Sequence, residues 1–90
     1  MQFEWDEQKD RINRQKHGIT FKEASQVFFD ELSATGDDTE HSEDEKRLIT
    51  FGLSLRRELL VVCHVDRGNA VRIVSARRAT RAERRIYEQA

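Results

Sequence analysis

Proline is absent from the 90 residues, cysteine, methionine, tryptophan and tyrosine occur once each, and the formal net charge is only -1. Without proline, a repeat or a low-complexity stretch, nothing marks a linker, and the chain reads as a single domain over residues 1–90. One thiol excludes an internal disulfide and a cysteine-based zinc site. Within its apolar run, Cys63 reads as a packing residue. That run, residues 59–63, is the longest unbroken apolar stretch. It is far short of the roughly 20 residues a membrane-spanning helix needs. The acidic start, Met1 to Glu7, lacks the basic and apolar pattern of a secretion signal, so a cytoplasmic protein is expected. No glycine-rich phosphate loop, no serine or cysteine nucleophile motif and no zinc-ligand spacing is present. At this length folding removes only about 60% of the unfolded chain's surface from water, which implies a thin core.

What is abundant is charge, at 37% of residues, and it is unevenly placed. Residues 1–45 carry thirteen acids against five bases, a balance of -8. Residues 46–90 carry eleven bases against four acids, a balance of +7, and ten of the eleven bases are arginine. Such a split suits a face that meets a polyanion or an acidic partner, although it also serves solubility. Arginine's planar fork of donors fits phosphate or carboxylate and stays charged at any working pH.

The pattern of residues predicts an α+β fold. Phe3 and Trp5 alternate with polar neighbours as a short first strand or an apolar clasp. Asp6 is placed to cap a polar helix running to Lys16 or His17, with Gly18 as its left-handed terminator. Thr20-Phe21-Lys22-Glu23 is a capping box, and Phe21, Ala24, Val27 and Phe28 form the buried stripe of a second helix ending near Asp30. A short strand is possible over residues 32–35, followed by a polar acidic loop over 36–44. Strand-like runs at 47–54, 58–66 and 70–77, joined by short turns, read as an antiparallel meander. Thr80 and Glu83 form a second capping box that opens a terminal helix. The expected order is two N-terminal helices, an antiparallel sheet of three to four strands and a C-terminal helix.

Alternation along the strands divides the side chains between two faces. The more apolar sets, Ile49, Phe51 and Leu53, then Val61, Cys63 and Val65, then Val71, Ile73 and Ser75, are expected under the helices. The other face would carry Thr50, Ser54, His64, Arg72 and Arg78, and a single bulge would invert part of this assignment. Cleaving RNA without a metal requires a base for the 2′-hydroxyl proton, an acid for the leaving oxygen and fixed cations for the growing phosphate charge. His64 is the expected proton-transfer group. Arg72, Arg77 and Arg78 are expected at the phosphate, with Arg47, Arg67 and Arg81 in support. Arg81 sits in the first turn of the last helix, where a cation opposes the dipole, as fits a shared anion site. His17 reads as a helix-end residue and His41, among loop carboxylates, as solvated. No metal ligand set and no cofactor are expected.

Several stretches carry a resemblance. They are Phe3-Glu4-Trp5-Asp6, Lys16-His17-Gly18, the Phe21/Ala24/Val27/Phe28 helix and the Asp38-x-x-His41-Ser42 loop. They continue with Arg47 leading into Thr50-x-Gly52, Val61-Val62-x-His64, Arg67, and the run from Arg72 through Thr80. In these the chain resembles the BrnT family, toxins of bacterial type II toxin–antitoxin pairs. The resemblance implies a compact RelE-like ribonuclease fold and metal-independent cleavage of RNA. It also implies a hetero-oligomer with a BrnA-type antitoxin, whose ribbon-helix-helix part binds DNA. A non-catalytic basic module that docks an acidic partner or nucleic acid is the alternative reading.

Overall fold

The computed structural model describes residues 1–40 and 45–89. His41, and with it the end of the acidic loop, lies outside the described residues. Strand β1 (Gln2–Glu4) leads into helix α1 (Glu7–His17). The Asp6 carboxylate accepts from the Gln8 and Lys9 amides at 2.8 and 3.1 Å, and Gly18 ends the helix at φ 72°. Helix α2 (Phe21–Ser25) starts at Thr20, whose hydroxyl accepts from the Glu23 amide, and tightens into a 3-10 turn over Gln26–Phe29. The capping box at Thr20 is half made. The Glu23 carboxylate instead accepts from the Ser54 hydroxyl and Arg56 Nε.

The remaining strands are β2 (Ala34–Asp37), β3 (Leu48–Leu53), β4 (Leu59–Arg67) and β5 (Ala70–Arg78), followed by α3 (Arg81–Gln89). Their order across the sheet is β1-β5-β4-β3-β2. The sheet therefore has five strands and is mixed, which corrects the expected three to four antiparallel strands. β1 lies parallel to the first half of β5, pairing Phe3 with Val71. The second half of that edge is completed by a side chain. Asn13 on α1 donates from Nδ2 to the Ala76 carbonyl at 2.8 Å and accepts the Ala76 amide on Oδ1 at 3.1 Å. Its Nδ2 also reaches the Ile19 carbonyl. A buried strand edge needs partners for its backbone groups, and one amide side chain supplies both.

Both helices α1 and α2 lie against one face of the sheet. The core joins Ile19, Phe21, Ala24 and Val27 to Leu60, Val62, Ile73 and Ala76, with Phe3, Trp5 and Phe28 at its margin. The covered face is thus the opposite of the expected one along β3 and β4. Two features explain the reversal. Gly52 lies under the 3-10 turn so closely that a Cβ there would stand 2.9 Å from the Val27 Cβ and carbonyl oxygen, so only glycine fits. Thr50 and His64 bond each other, Oγ1 to Nε2 at 2.7 Å, so each buried polar side chain has at least one partner.

Candidate functional site

The decisive local event is a bulge in β5. Cys63 pairs with Ser75 but His64 pairs with Ile73, so Val74 is the extra residue. Before the bulge Ile73 faces the core, and after it Ala76 does. The extra residue reverses the parity of the arginines that follow. Arg77 is carried to the uncovered side of the sheet, and Arg78 to the helix side.

On the uncovered side lies a cleft of about 330 Å³. Its floor is apolar, made by Ile49, Val61, Cys63 and Val74, and its rim is polar, made by Arg47, Arg77, His17, Asp38 and Glu40. Asp38 and Arg47 flank the mouth at the base of the β2–β3 hairpin, where the Asp38 amide donates to the Arg47 carbonyl at 2.9 Å. Asp38 is buried, and its Oδ2 receives the Cys63 thiol at 3.6 Å. Burial pushes the Cys63 thiol up, and the neighbouring Asp38 charge adds to this, so the sulfur stays protonated and is no nucleophile. His17 reaches the rim from the last turn of α1. That helix end is tied down from β5, where Arg78 Nη1 donates to the His17 carbonyl at 2.7 Å. Arg78 Nε also faces Glu58 at 3.4 Å.

The sequence candidates separate accordingly. Arg77 and Arg47 line the cleft. Arg78 works behind it, as a strut for α1. His64, expected on the exposed face, is only 3% exposed and packs edge-on against the Phe28 ring at 4.8 Å. Burial pushes its imidazole below the usual range, partly offset by Asp66, and its Nδ1 has no partner among the described residues. Arg72 stands five residues from Arg77, roughly 16 Å along an extended strand, and faces Glu4 at 3.9 Å. Arg67 pairs with Glu45 at 3.2 Å on the surface, and Arg81 is exposed on α3. The expected convergence of late arginines is reduced to Arg77, joined by Arg47 from just before β3. From the sequence His17 reads as a helix-end residue, and none of His17, Asp38 and Glu40 is expected at the site. The bulge that brings the β5 side chains to them has no proline or glycine to announce it.

A family model described as "Ribonuclease toxin, BrnT, of type II toxin-antitoxin system" matches residues 5–83. The chain belongs to the BrnT ribonuclease toxin family. The crystal structure of the Brucella abortus ribonuclease toxin BrnT shares the fold of this BrnT-family chain at a TM-score of 0.69. That similarity covers 90% of this chain and 99% of the other at 23% identity. No curated protein matches the sequence significantly. Membership of a type II system implies a protein antitoxin as partner and RNA as substrate. Among the described residues no helix is long and apolar enough to cross a membrane, and no three His, Cys, Asp or Glu side chains gather as a metal site.

Proposed function

We propose that this BrnT-family chain is a metal-independent endoribonuclease of RelE-like architecture that cleaves cytoplasmic RNA and arrests growth until a BrnA-type antitoxin neutralises it. The observation that carries this reading is the cleft on the uncovered sheet face, where an imidazole and two guanidiniums share one concavity. His17 is the proton-transfer group in place of His64. It is half-buried, its backbone is pinned, and its ring nitrogens can donate or accept a proton. Arg77 and Arg47 hold the scissile phosphate and the charge that grows on it as the 2′-oxygen attacks. One such donor is worth about 3–4 kcal/mol in the barrier. Asp38 and Glu40 lie on the same rim as carboxylates able to receive the 2′-hydroxyl proton. The apolar floor excludes water from beneath the phosphate and strengthens these interactions.

The test is incubation of purified, antitoxin-free protein with labelled RNA in EDTA. Cleavage that disappears in His17→Ala and Arg77→Ala, with both variants folded and still bound by the antitoxin, is the expected result. Intact RNA that binds in a salt-sensitive manner would establish the non-catalytic module instead.

A further inference from the structure

We propose that Glu83, on the first turn of α3, is a positioning residue that presents one edge of the Arg77 guanidinium to a phosphate in the cleft. The proposal deepens the ribonuclease reading and rests on it. A guanidinium has five N–H groups in a rigid plane, and it can grip two oxygens across its Nη1/Nη2 end or along its Nε/Nη2 side. In Arg77 the end is taken. Nη1 donates to Glu83 Oε1 at 2.8 Å and Nη2 to Oε2 at 2.9 Å. Nη1 also reaches the Arg78 carbonyl at 3.3 Å. The Nε–H and the second Nη2 hydrogen have no partner among the described residues. Those two parallel donors form the free side of a residue that lines the cleft.

Glu83 is itself immobilised. Its Oε1 accepts the Thr80 amide at 2.8 Å and its amide donates to the Thr80 hydroxyl at 3.2 Å, the reciprocal pair of a capping box. Helix start, carboxylate and guanidinium therefore form one chain of bonds. The strand sets where Arg77 begins, and Glu83 sets how its plane is turned. An unheld arginine loses rotamer freedom on gripping a phosphate, and here part of that loss is taken on folding, when Glu83 holds the Nη1/Nη2 end. The arrangement also gives α3 a purpose. None of its residues is buried, and apart from Glu83 it touches the body mainly through the Tyr87 hydroxyl on Asp30.

The experiment compares full-length wild type, Glu83→Gln, Glu83→Ala, Arg77→Ala, Glu83→Ala/Arg77→Ala and Tyr87→Phe. Each is measured for RNA cleavage (kcat and KM separately), for affinity to a 2′-O-methyl RNA that cannot be cleaved, and for melting temperature. Misaligning a reacting group by about 1 Å can cost a hundredfold. We expect kcat to fall about tenfold or more in Glu83→Ala, with a smaller loss in Glu83→Gln, which keeps one acceptor oxygen. The double variant is expected to be no worse than Arg77→Ala alone. Tyr87→Phe, which loosens α3 without touching Arg77, should keep wild-type kcat. Glu83→Ala that cleaves and binds as well as wild type, or better, while Arg77→Ala is inactive, overturns the proposal and makes Glu83 a bystander or a mask. Equal loss in Tyr87→Phe also overturns it, by showing that α3 docking alone matters. If wild type cleaves nothing, the ribonuclease reading fails separately. The positioning role then stands or falls on whether Glu83→Ala weakens 2′-O-methyl RNA binding as Arg77→Ala does.

Discussion

Of the two described histidines one is buried under the helices and the other lines the cleft, and these environments assign them different work. His64 is buried against Phe28 and bonded to Thr50, whose hydroxyl in turn meets Thr35 Oγ1 at 2.7 Å. Replacing it with alanine leaves a cavity and removes one of the two hydrogen bonds of the Thr50 hydroxyl, so His64→Ala is expected to cost about 2–4 kcal/mol in urea unfolding. Its titration gives the protein an acid sensitivity. Burial lowers the folded imidazole below its ordinary value of 6.5, so on acidification the unfolded chain takes up the proton first. Stability is full above pH 6.5 and falls as pH drops from there toward the lowered folded value. Unfolding midpoints should therefore decline between pH 7.5 and 5.5, and His64→Leu should flatten that slope. A slope unchanged by the substitution would place the sensitivity elsewhere. His17→Ala, by contrast, is expected to leave the midpoint nearly unchanged and to lower cleavage by about a hundredfold or more.

At the scale of elements, the site depends on how α1 and β5 are joined. Asn13 supplies both backbone partners of Ala76, and Arg78 ties the helix end at His17. Asn13→Ala should cost about 2–4 kcal/mol by leaving buried backbone groups unpaired. It should also reduce cleavage in the fraction that remains folded, because α1 carries His17. Gly52→Ala tests the approach of the 3-10 turn to β3. A Cβ placed 2.9 Å from the Val27 backbone oxygen forces a shift, with an expected loss of about 1–3 kcal/mol read as a lower melting temperature. The pairing of Arg77 with Glu83 predicts another acid effect. Arg77 and the helix start hold the Glu83 carboxyl down to about 2. A carboxylate with a lowered folded pKa stabilises above its ordinary value of 4.5 and loses that contribution as pH falls toward 2. The docking of α3, followed by amide exchange, should accordingly weaken only below about pH 4.5.

Across the whole molecule, many cations of the positive second half are paired with carboxylates of both halves. Arg67, Arg72, Arg77 and Arg78 each face a carboxylate, which explains how so many guanidiniums coexist at a net charge of -1. RNA affinity should therefore depend on salt only weakly. Two phosphate contacts, at Arg77 and Arg47, predict a slope of about -1.4 in log affinity against log salt for a single strand, and Arg77→Ala should reduce it by about 0.7. A slope several times steeper would show that the distributed arginines, and not the cleft, hold the RNA.

Local signals were legible where the interaction is local. Asp6 and Gly18 bound α1, Thr20 starts α2, Thr80 with Glu83 starts α3, and alternating apolar residues mark β3, β4 and β5, because caps and strand periodicity act within a few residues. The sequence by itself determined these elements, the α+β class and the family likeness. Which face the helices cover was decided only in three dimensions, by the space above Gly52 and by a hydrogen bond between Thr50 and His64, residues fourteen apart in the chain. The bulge at Val74 decided the rest. One unpaired residue turns every later side chain of β5 over, and it sends Arg77, not Arg78, into the lining of the cleft, because a strand's two faces differ by a single step along the chain.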